Sequence, residues 1–237
     1  MKRLYFLIIL GLCCIAVHAA ADAKAALGKP DLESIADATT NPESPLYYGR
    51  LLHEFLRNDT TMTPEEFQAF YYGTLFQEDY DPYRPAVNPK LLEELQPIYA
   101  KEKRTRADRE KMLDYAMQVI ENNPVDLRQL TNRIFVYEQN GKTDLARIWQ
   151  YKLNHLLLVI ASSGSGVDKE NARIVVYPQN EYDFLNLSGS TAVSSHFDPA
   201  GYDVISASKN GGTPTSHYFD IRESLHQYFL KHPSEDK

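Results

Sequence analysis

The sequence has 237 residues, two cysteines, and 25 basic against 32 acidic side chains, which gives a formal net charge of −7 at pH 7. An acidic surface disfavours nucleic acid and anionic lipid as partners. The length is sufficient for one large domain or two small ones, each with a buried core.

The first 21 residues have the order of a secretory signal peptide. Lys2 and Arg3 precede an apolar stretch over 4–17, and the small-residue segment 19–21 follows. Because this stretch is shorter than the roughly 20 residues that cross a bilayer, we expect a removable signal and no integral membrane anchor.

The two cysteines, Cys13 and Cys14, both lie inside this segment. A lipoprotein signal is the alternative, but it normally has a small residue before the cysteine, whereas Leu12 stands there. We therefore expect a periplasmic or extracellular mature chain, residues 22–237, without a disulfide. Loss of Lys2 and Arg3, with no acidic residue lost, changes its net charge from −7 to −9.

Helix-start signals recur through the middle of the chain. The clearest is Thr63-Pro64, where Glu66 completes a capping box, and Asn88-Pro89 and Asp126 give similar signals. Apolar residues at helical spacing follow each of them. The predicted helices cover about 45–57, 64–77, a stretch that begins at 89, 112–122, 127–139 and 143–160.

Part of this region resembles a tetratricopeptide-type hairpin. Leu130, Tyr137, Gly141 and Ala146 stand where that repeat places a large apolar residue, an aromatic residue, a turn glycine and a small residue. A helical bundle with short loops is the alternative. Either arrangement predicts paired antiparallel helices over 22–161.

After the small-residue segment 162–166, which is typical of a linker, the period of the apolar residues changes. Short β-branched and aromatic runs are typical of strands, and a helical stripe follows them. The predicted strands are 173–177, 182–187, 203–206 and 217–221, and the predicted last helix is 222–230. The predicted class is therefore α+β, with helical hairpins followed by a small antiparallel sheet and a C-terminal helix over 162–237.

Tyrosines supply the first candidate binding residues. Large aromatic side chains contribute much contact area at low entropic cost, so they suit a concave helical surface that holds a partner. The candidates are Tyr47, Tyr71, Tyr72, Tyr80 and Tyr83, and we expect them to form a continuous exposed groove. The leading functional hypothesis is a non-enzymatic module that binds an extended peptide or an envelope protein.

An acidic segment and one histidine supply the other candidates. Asp79 and Asp81 could share a calcium ion, but the spacing lacks the glycine and glutamate of a calcium loop, and Asp81 before Pro82 is also typical of an Asx turn. The second hypothesis is a hydrolase or small-ligand-binding protein that uses Glu78, Asp79 or His196 in a cleft between helices and sheet, with a displaced pKa.

Other motifs argue against a cofactor. His196 follows Ser194-Ser195 and precedes Asp198, but the run lacks the flanking glycines of a nucleophile elbow, and it is typical of a polar loop. The sequence contains no phosphate-binding glycine loop, dinucleotide fingerprint or paired-histidine metal helix. We therefore expect no cofactor and no metal, and no catalytic residue can be named.

Several segments resemble a bacterial exported family known only as domain of unknown function 4919. They are Pro45-Leu46-Tyr47-Tyr48, residues 64–84, Glu181-Tyr182-Asp183, Tyr202-Asp203-Val204 and Tyr218-Phe219-Asp220-Ile221. The most specific part runs from Tyr71 to Tyr83. The resemblance extends over nearly all of the mature chain and implies export and a shared architecture, without an activity.

Overall fold

The computed structural model describes residues 27–233, so the predicted signal peptide lies outside the described residues. Within them the chain forms nine α-helices, one short 3-10 helix and four strands. In chain order these are α1 (Leu32–Thr40), α2 (Tyr48–Leu56), α3 (Pro64–Gly73), the 3-10 helix (Thr74–Phe76), α4 (Pro89–Tyr99), α5 (Arg106–Asn122), α6 (Leu127–Gln139), α7 (Thr143–Ser163), β1 (Arg173–Ile174), α8 (Pro178–Leu187), β2 (Ser190–Asp198), β3 (Tyr202–Lys209), β4 (Thr215–Asp220) and α9 (Arg222–Lys231). The α+β class is confirmed.

Helix starts follow the capping signals of the sequence. At α3 the amide N–H of Glu66 donates to Thr63 Oγ1 at 3.2 Å, and the Glu66 carboxylate accepts the Thr63 N–H at 2.8 Å. The side chains of Asn88 and Asp126 accept amide N–H groups in the first turns of α4 and α6 at 3.1 and 2.8 Å. Each cap satisfies an otherwise unpaired donor and stabilises its helix by about 1 kcal/mol.

An aromatic core joins α2, α3 and α7. Phe55 stacks on Phe70 with ring centroids 4.6 Å apart and meets Trp149 edge to face at 5.9 Å. Lys152 is buried beside them, and its ammonium donates to the backbone carbonyl oxygens of Phe55 and Arg57. These carbonyls lie at the end of α2, where a helix has no partners of its own, so Lys152 acts as a cap.

A smaller core joins α4, α5 and α6. Leu95 of α4, Met112 and Tyr115 of α5, and Val136 of α6 are buried together. This second cluster fixes α4 against α5 and α6. None of the helices within residues 27–233 is both long and apolar enough to cross a membrane.

The sheet has the strand order β1-β4-β3-β2. Strands β2 and β3 are antiparallel, as are β3 and β4, but β1 runs parallel to β4, with Ile174 opposite Asp220. The prediction of a wholly antiparallel sheet was therefore wrong. The chain leaves β1 through α8 and reaches β4 only after β2 and β3, and a connection of that length permits parallel pairing.

One predicted strand is a helix. Residues 182–187 belong to α8, which starts at Pro178, a residue favoured at the first helical position. Asn180, Glu181 and Asp183 are buried on this helix in spite of their polarity. Since its inner face is partly polar, the sequence does not show the apolar stripe that indicates a helix.

One predicted loop is a strand. Residues 194–199 were expected to form a polar loop, but most of them lie in β2, at an edge of the sheet. Most side chains of β2 are exposed, so the apolar alternation that indicates a half-buried strand is missing.

Two shorter predictions also need correction. The helix expected from residue 45 starts at Tyr48, because Ser44 Oγ accepts the N–H of Leu46 and forms a turn. The expected linker 162–166 begins inside α7, and Ser163 Oγ accepts the N–H of Ile174 at 2.9 Å.

Candidate functional site

Three of the candidate tyrosines are core residues. Tyr71, Tyr72 and Tyr80, which we call the tyrosine hub, are each at most 2% exposed. The Tyr71 hydroxyl donates to Asn180 Oδ1 at 2.9 Å, and the Tyr72 hydroxyl donates to the carbonyl oxygens of Val159 and Ile174 at 3.4 and 3.3 Å. The expectation of a continuous exposed aromatic groove was therefore wrong.

The hub joins the helices to the C-terminal part of the chain. Tyr80 donates to the carbonyl oxygen of Val176, and its hydroxyl lies 2.7 Å from Ser224 Oγ of α9. Burial raises the pKa of the Tyr72 and Tyr80 hydroxyls well above the usual range. They are therefore protonated hydrogen-bond donors at neutral pH.

The remaining tyrosines and Glu78, Asp79 and His196 lie outside this core. Tyr47 is half-buried at the start of α2, and Tyr83 is 53% exposed and meets Tyr228 edge to face at 4.9 Å. Glu78 and Asp79 are exposed in the loop after the 3-10 helix, and His196 is exposed on β2. None of these last three residues lines the cavity described below.

Asp81 is the candidate that borders a cavity. Its Oδ1 accepts the N–H of Tyr83 at 2.8 Å, which confirms the Asx turn. Arg84 closes the same loop by donating to the backbone oxygen of Asp79 and, at 3.4 Å, to that of Asn122 at the end of α5. The loop is thus fixed against the helices.

A cavity of about 360 Å³, which we call the cleft, lies between this loop, α4, α5 and the first turns of α6 and α8. Its apolar walls come from the loop and from Leu92 and Val119. Its polar lining consists of Asp81, Arg84, Gln96, Tyr99, Tyr115, Asn122, Asn123, Asp126, Arg128, Gln129, Tyr177, Gln179 and Asn180. The cleft therefore lies where the helical region meets α8.

The turn between α5 and α6 brings two acceptors to the cleft. The N–H of Asp126 donates to the backbone oxygen of Asn123 at 3.2 Å, so both side chains belong to one tight turn. Asn123 Oδ1 is buried and has no hydrogen-bond partner in the structure. An unpaired buried acceptor costs about 1–3 kcal/mol, so it calls for a partner from outside the chain.

Asp126 has an unusual carboxyl group. It is buried, and burial together with the nearby Asp183 raises its pKa to about 6, although the Gln129 N–H and Arg128 oppose this rise. Burial raises the pKa of the nearby Tyr115 hydroxyl, and the charge of Asp126 raises it further. Asp126 thus titrates close to neutrality.

The cationic side chains of the cleft are already paired. Arg128 donates twice to Asp183 Oδ1, from Nε at 3.1 Å and from Nη2 at 2.8 Å, while Gln179 Nε2 donates to Asp183 Oδ2 at 3.3 Å. Arg84 Nη2 contacts Asp79 Oδ2 at 3.3 Å. Both guanidinium groups therefore have carboxylate partners within the protein.

A second acidic pair lies away from the cleft. Glu181 is 1% exposed, and burial and the Asp203 carboxylate raise its pKa to about 10. Glu181 is therefore protonated at neutral pH and donates to Asp203. Since Glu181 is buried, we assign it a structural role. No group of three or more His, Asp or Glu side chains in the described part of the chain could hold a metal ion.

Sequence reasoning recognised the residues of the cleft only as local signals. Asp126 was identified as a helix cap, and the helix before it was predicted to end at residue 122; both predictions are confirmed. The burial of Asp126 depends on α8, more than 50 residues further along the chain, and no local pattern reports it. Asp81 is the single predicted candidate that lines the cleft.

The fold and the cleft define the chain as an α+β protein with a polar cavity at the junction of its two regions. A family model described as Domain of unknown function (DUF4919) matches residues 33–229, so the chain belongs to this family. Comparison of this chain with the curated proteins and with the solved structures found no match.

Proposed function

We propose that the protein binds a small polar molecule in the cleft. The observation that carries this proposal is the buried, unpaired Asn123 Oδ1 in the wall of a cavity of about 360 Å³. Ligand cavities generally measure about 300–1,000 Å³ and combine apolar walls with a few polar groups that orient the ligand. A bound molecule would supply the missing hydrogen-bond donor.

A thermal-shift screen of small polar compounds tests this proposal. Val87 lines the cleft and is exposed, so Val87→Trp would fill the cavity with little effect on the fold. Val167→Trp is the matched control, because Val167 is also exposed but does not line the cleft. A compound that stabilises the wild type and the control, but not Val87→Trp, supports the proposal. A screen without such a compound overturns it.

A second candidate is the binding of an extended peptide, the partner expected from the sequence. Strand β2 is an edge of the sheet, and its Val193 and Phe197 are 61% and 53% exposed. An open edge can accept an added strand through backbone hydrogen bonds, with pockets for alternate side chains.

Binding to an array of decapeptides tests this second candidate. A lysine on an edge strand opposes strand addition. We expect Val193→Lys to abolish peptide binding and Val167→Lys to leave it unchanged. Equal binding by both variants would exclude the edge as the peptide site.

We also propose that α5, α6 and α7 form antiparallel, tetratricopeptide-like hairpins. Arg109, in the first turn of α5, donates to Asn140, just after the end of α6, at 2.8 Å, which supports antiparallel axes. Gly141 has a positive φ of 71°, as a turn glycine requires. Spin-label distances between the helix ends would test this arrangement. A large distance between the start of α5 and the end of α6 would overturn it.

Export remains a proposal that rests on residues 1–21. We propose that this segment is removed and that the protein acts in the periplasm or at the cell surface. N-terminal sequencing of the protein from a periplasmic fraction should give Asp22 as the first residue. Recovery of the uncleaved chain from the cytoplasm alone would contradict this proposal.

A further inference from the structure

One buried acceptor of the cleft lacks a partner, whereas its charged donors have partners. Asn123 Oδ1 is unpaired, and Asp126 uses Oδ1 to accept the Gln129 N–H at 2.8 Å. The Asp81 carboxylate contributes a second negative charge to the lining. A ligand group with several donors and no acceptor is the complement of such a surface, and an ammonium group has this property.

The charge of the cleft also favours a cation. Arg128 is paired with Asp183 and Arg84 with Asp79, so neither guanidinium group forms a direct ion pair with Asp81 or Asp126, although Arg128 lies close enough to oppose the rise in the pKa of Asp126. The net charge of −7 adds a long-range attraction for cations.

Aromatic rings complete the lining. Tyr99 of α4, Tyr115 of α5 and Tyr177 before α8 approach the cleft from three elements. A cation over the face of such a ring is attracted by the ring electrons, and the attraction is stronger where water is excluded.

An anionic ligand is the rival, because the first turns of α6 and α8 point positive helix ends toward the cleft. At α6, however, the Asp126 carboxylate already occupies this end of the helix. An anion would lie beside a buried carboxylate, and like charges at close range disfavour binding.

We propose that the ligand of the cleft is a small organic cation, whose ammonium group is bound by Asn123 Oδ1 and the Asp126 carboxylate between tyrosine rings. This inference rests on the proposed binding function and specifies its ligand class. The neutral regions of such a ligand would contact the apolar walls formed by Leu92 and Val119.

Isothermal titration at pH 8 with matched probes tests the ligand class. The cations are methylammonium, tetramethylammonium and putrescine; 1,4-butanediol and succinate are the neutral and anionic counterparts of putrescine. We expect at least one cation to bind, and putrescine to bind at least about tenfold more tightly than butanediol, as a charge-assisted hydrogen bond implies. Failure of all three cations to bind overturns the inference.

Two variants assign the binding to the named residues. Asp126→Asn keeps a good helix cap but removes the charge, so cation affinity should fall at least about tenfold while the fold is retained. Glu138→Gln removes an exposed charge at the opposite end of α6 and should change nothing. Asn123→Ala, which removes the side-chain amide with its unpaired acceptor, gives an independent variant if Asp126→Asn fails to fold. Unchanged affinity in the folded variants overturns the inference.

The outcomes separate the two proposals. Tighter binding of butanediol or succinate, abolished by Val87→Trp, overturns the cation and leaves small-molecule binding in place. If Val87→Trp does not affect the binding of the probes, both proposals are overturned, because the bound molecule would then lie outside the cleft.

Discussion

The tyrosine hub and the cleft both lie where the helices meet the C-terminal part of the chain, and both bury polar groups. In the hub each hydroxyl has a partner within the protein: Asn180 for Tyr71, backbone oxygens for Tyr72, and Val176 and Ser224 for Tyr80. In the cleft, Asn123 Oδ1 has none. The two neighbouring polar clusters thus differ: the paired groups of the hub hold the fold, whereas the unpaired acceptor of the cleft is bonded only by a ligand under the proposed function.

The difference follows from the source of the partners. The hub partners come from segments that are distant in sequence, so its hydrogen bonds tie the chain together. In the cleft, Asn123 and Asp126 belong to one tight turn, and no donor of the protein reaches Asn123 Oδ1. Substitutions in the two regions should therefore differ in their effects on stability.

Tyr72→Ala should give the largest effect. It removes a fully buried ring and both of its hydrogen bonds, so we expect a loss of about 3–5 kcal/mol in the free energy of unfolding. Tyr83→Ala is the control, because Tyr83 is half exposed, and it should cost about 1 kcal/mol. Urea denaturation measures both. Similar losses would mean that the hub does not carry the stability assigned to it.

Asp126→Asn should remove a pH dependence. Because the folded state raises the carboxyl pKa from 3.8 to about 6, the native protein binds this proton more tightly than the unfolded chain. The contribution of this group to stability is therefore greatest below pH 3.8 and falls, by about 3 kcal/mol, as the pH rises to about 6.

We expect the unfolding free energy of Asp126→Asn to lack this pH-dependent contribution over pH 4–7. The stability of the variant relative to the wild type should therefore increase as the pH rises. Denaturation at several pH values measures the difference. Parallel pH profiles of the two proteins would contradict the burial of an ionisable Asp126.

Asn180→Ala tests the residue that belongs to both regions. Its side chain accepts from Tyr71 and donates to the Val125 carbonyl at 3.2 Å, so truncation leaves two buried groups unpaired. We expect a loss of about 1–3 kcal/mol. Asn186→Ala, at an exposed position of the same helix, should have almost no effect on stability. Equal losses for the two variants would contradict the role assigned to Asn180.

Asn123→Ala should give the smallest effect. Removal of an acceptor that has no partner releases its desolvation cost, so stability should change by less than about 1 kcal/mol or should rise slightly. A loss as large as that of Asn180→Ala would show that Oδ1 is bonded within the protein, and the contrast between hub and cleft would then disappear.

Local chemistry made much of the fold predictable. The capping box at Thr63 and Glu66, the caps at Asn88 and Asp126, and the last helix from Arg222 are found where the sequence placed them. Each depends on residues within one turn of the chain. The α+β class followed from the change of period after the long helix α7.

Predictions failed where neighbours in space decide the outcome. Residues 182–187 form a helix because Asn180 and Asp183 find partners on other elements, and β2 is a strand because β3 pairs with it. Tyr71, Tyr72 and Tyr80 were assigned to a surface because aromatic residues serve interfaces and cores equally well. The burial that makes Asp126 and Asn123 a candidate site likewise arises from tertiary packing.

The contact between Tyr80 and Ser224 joins residues 144 positions apart in the sequence. We expect such a contact to form late in folding, because closing a long loop costs conformational entropy before the contact stabilises the chain. A chain that ends before α9 would leave the Tyr80 hydroxyl without its Ser224 partner. We therefore expect a chain that lacks α9 to be less stable than the full chain and more sensitive to proteases.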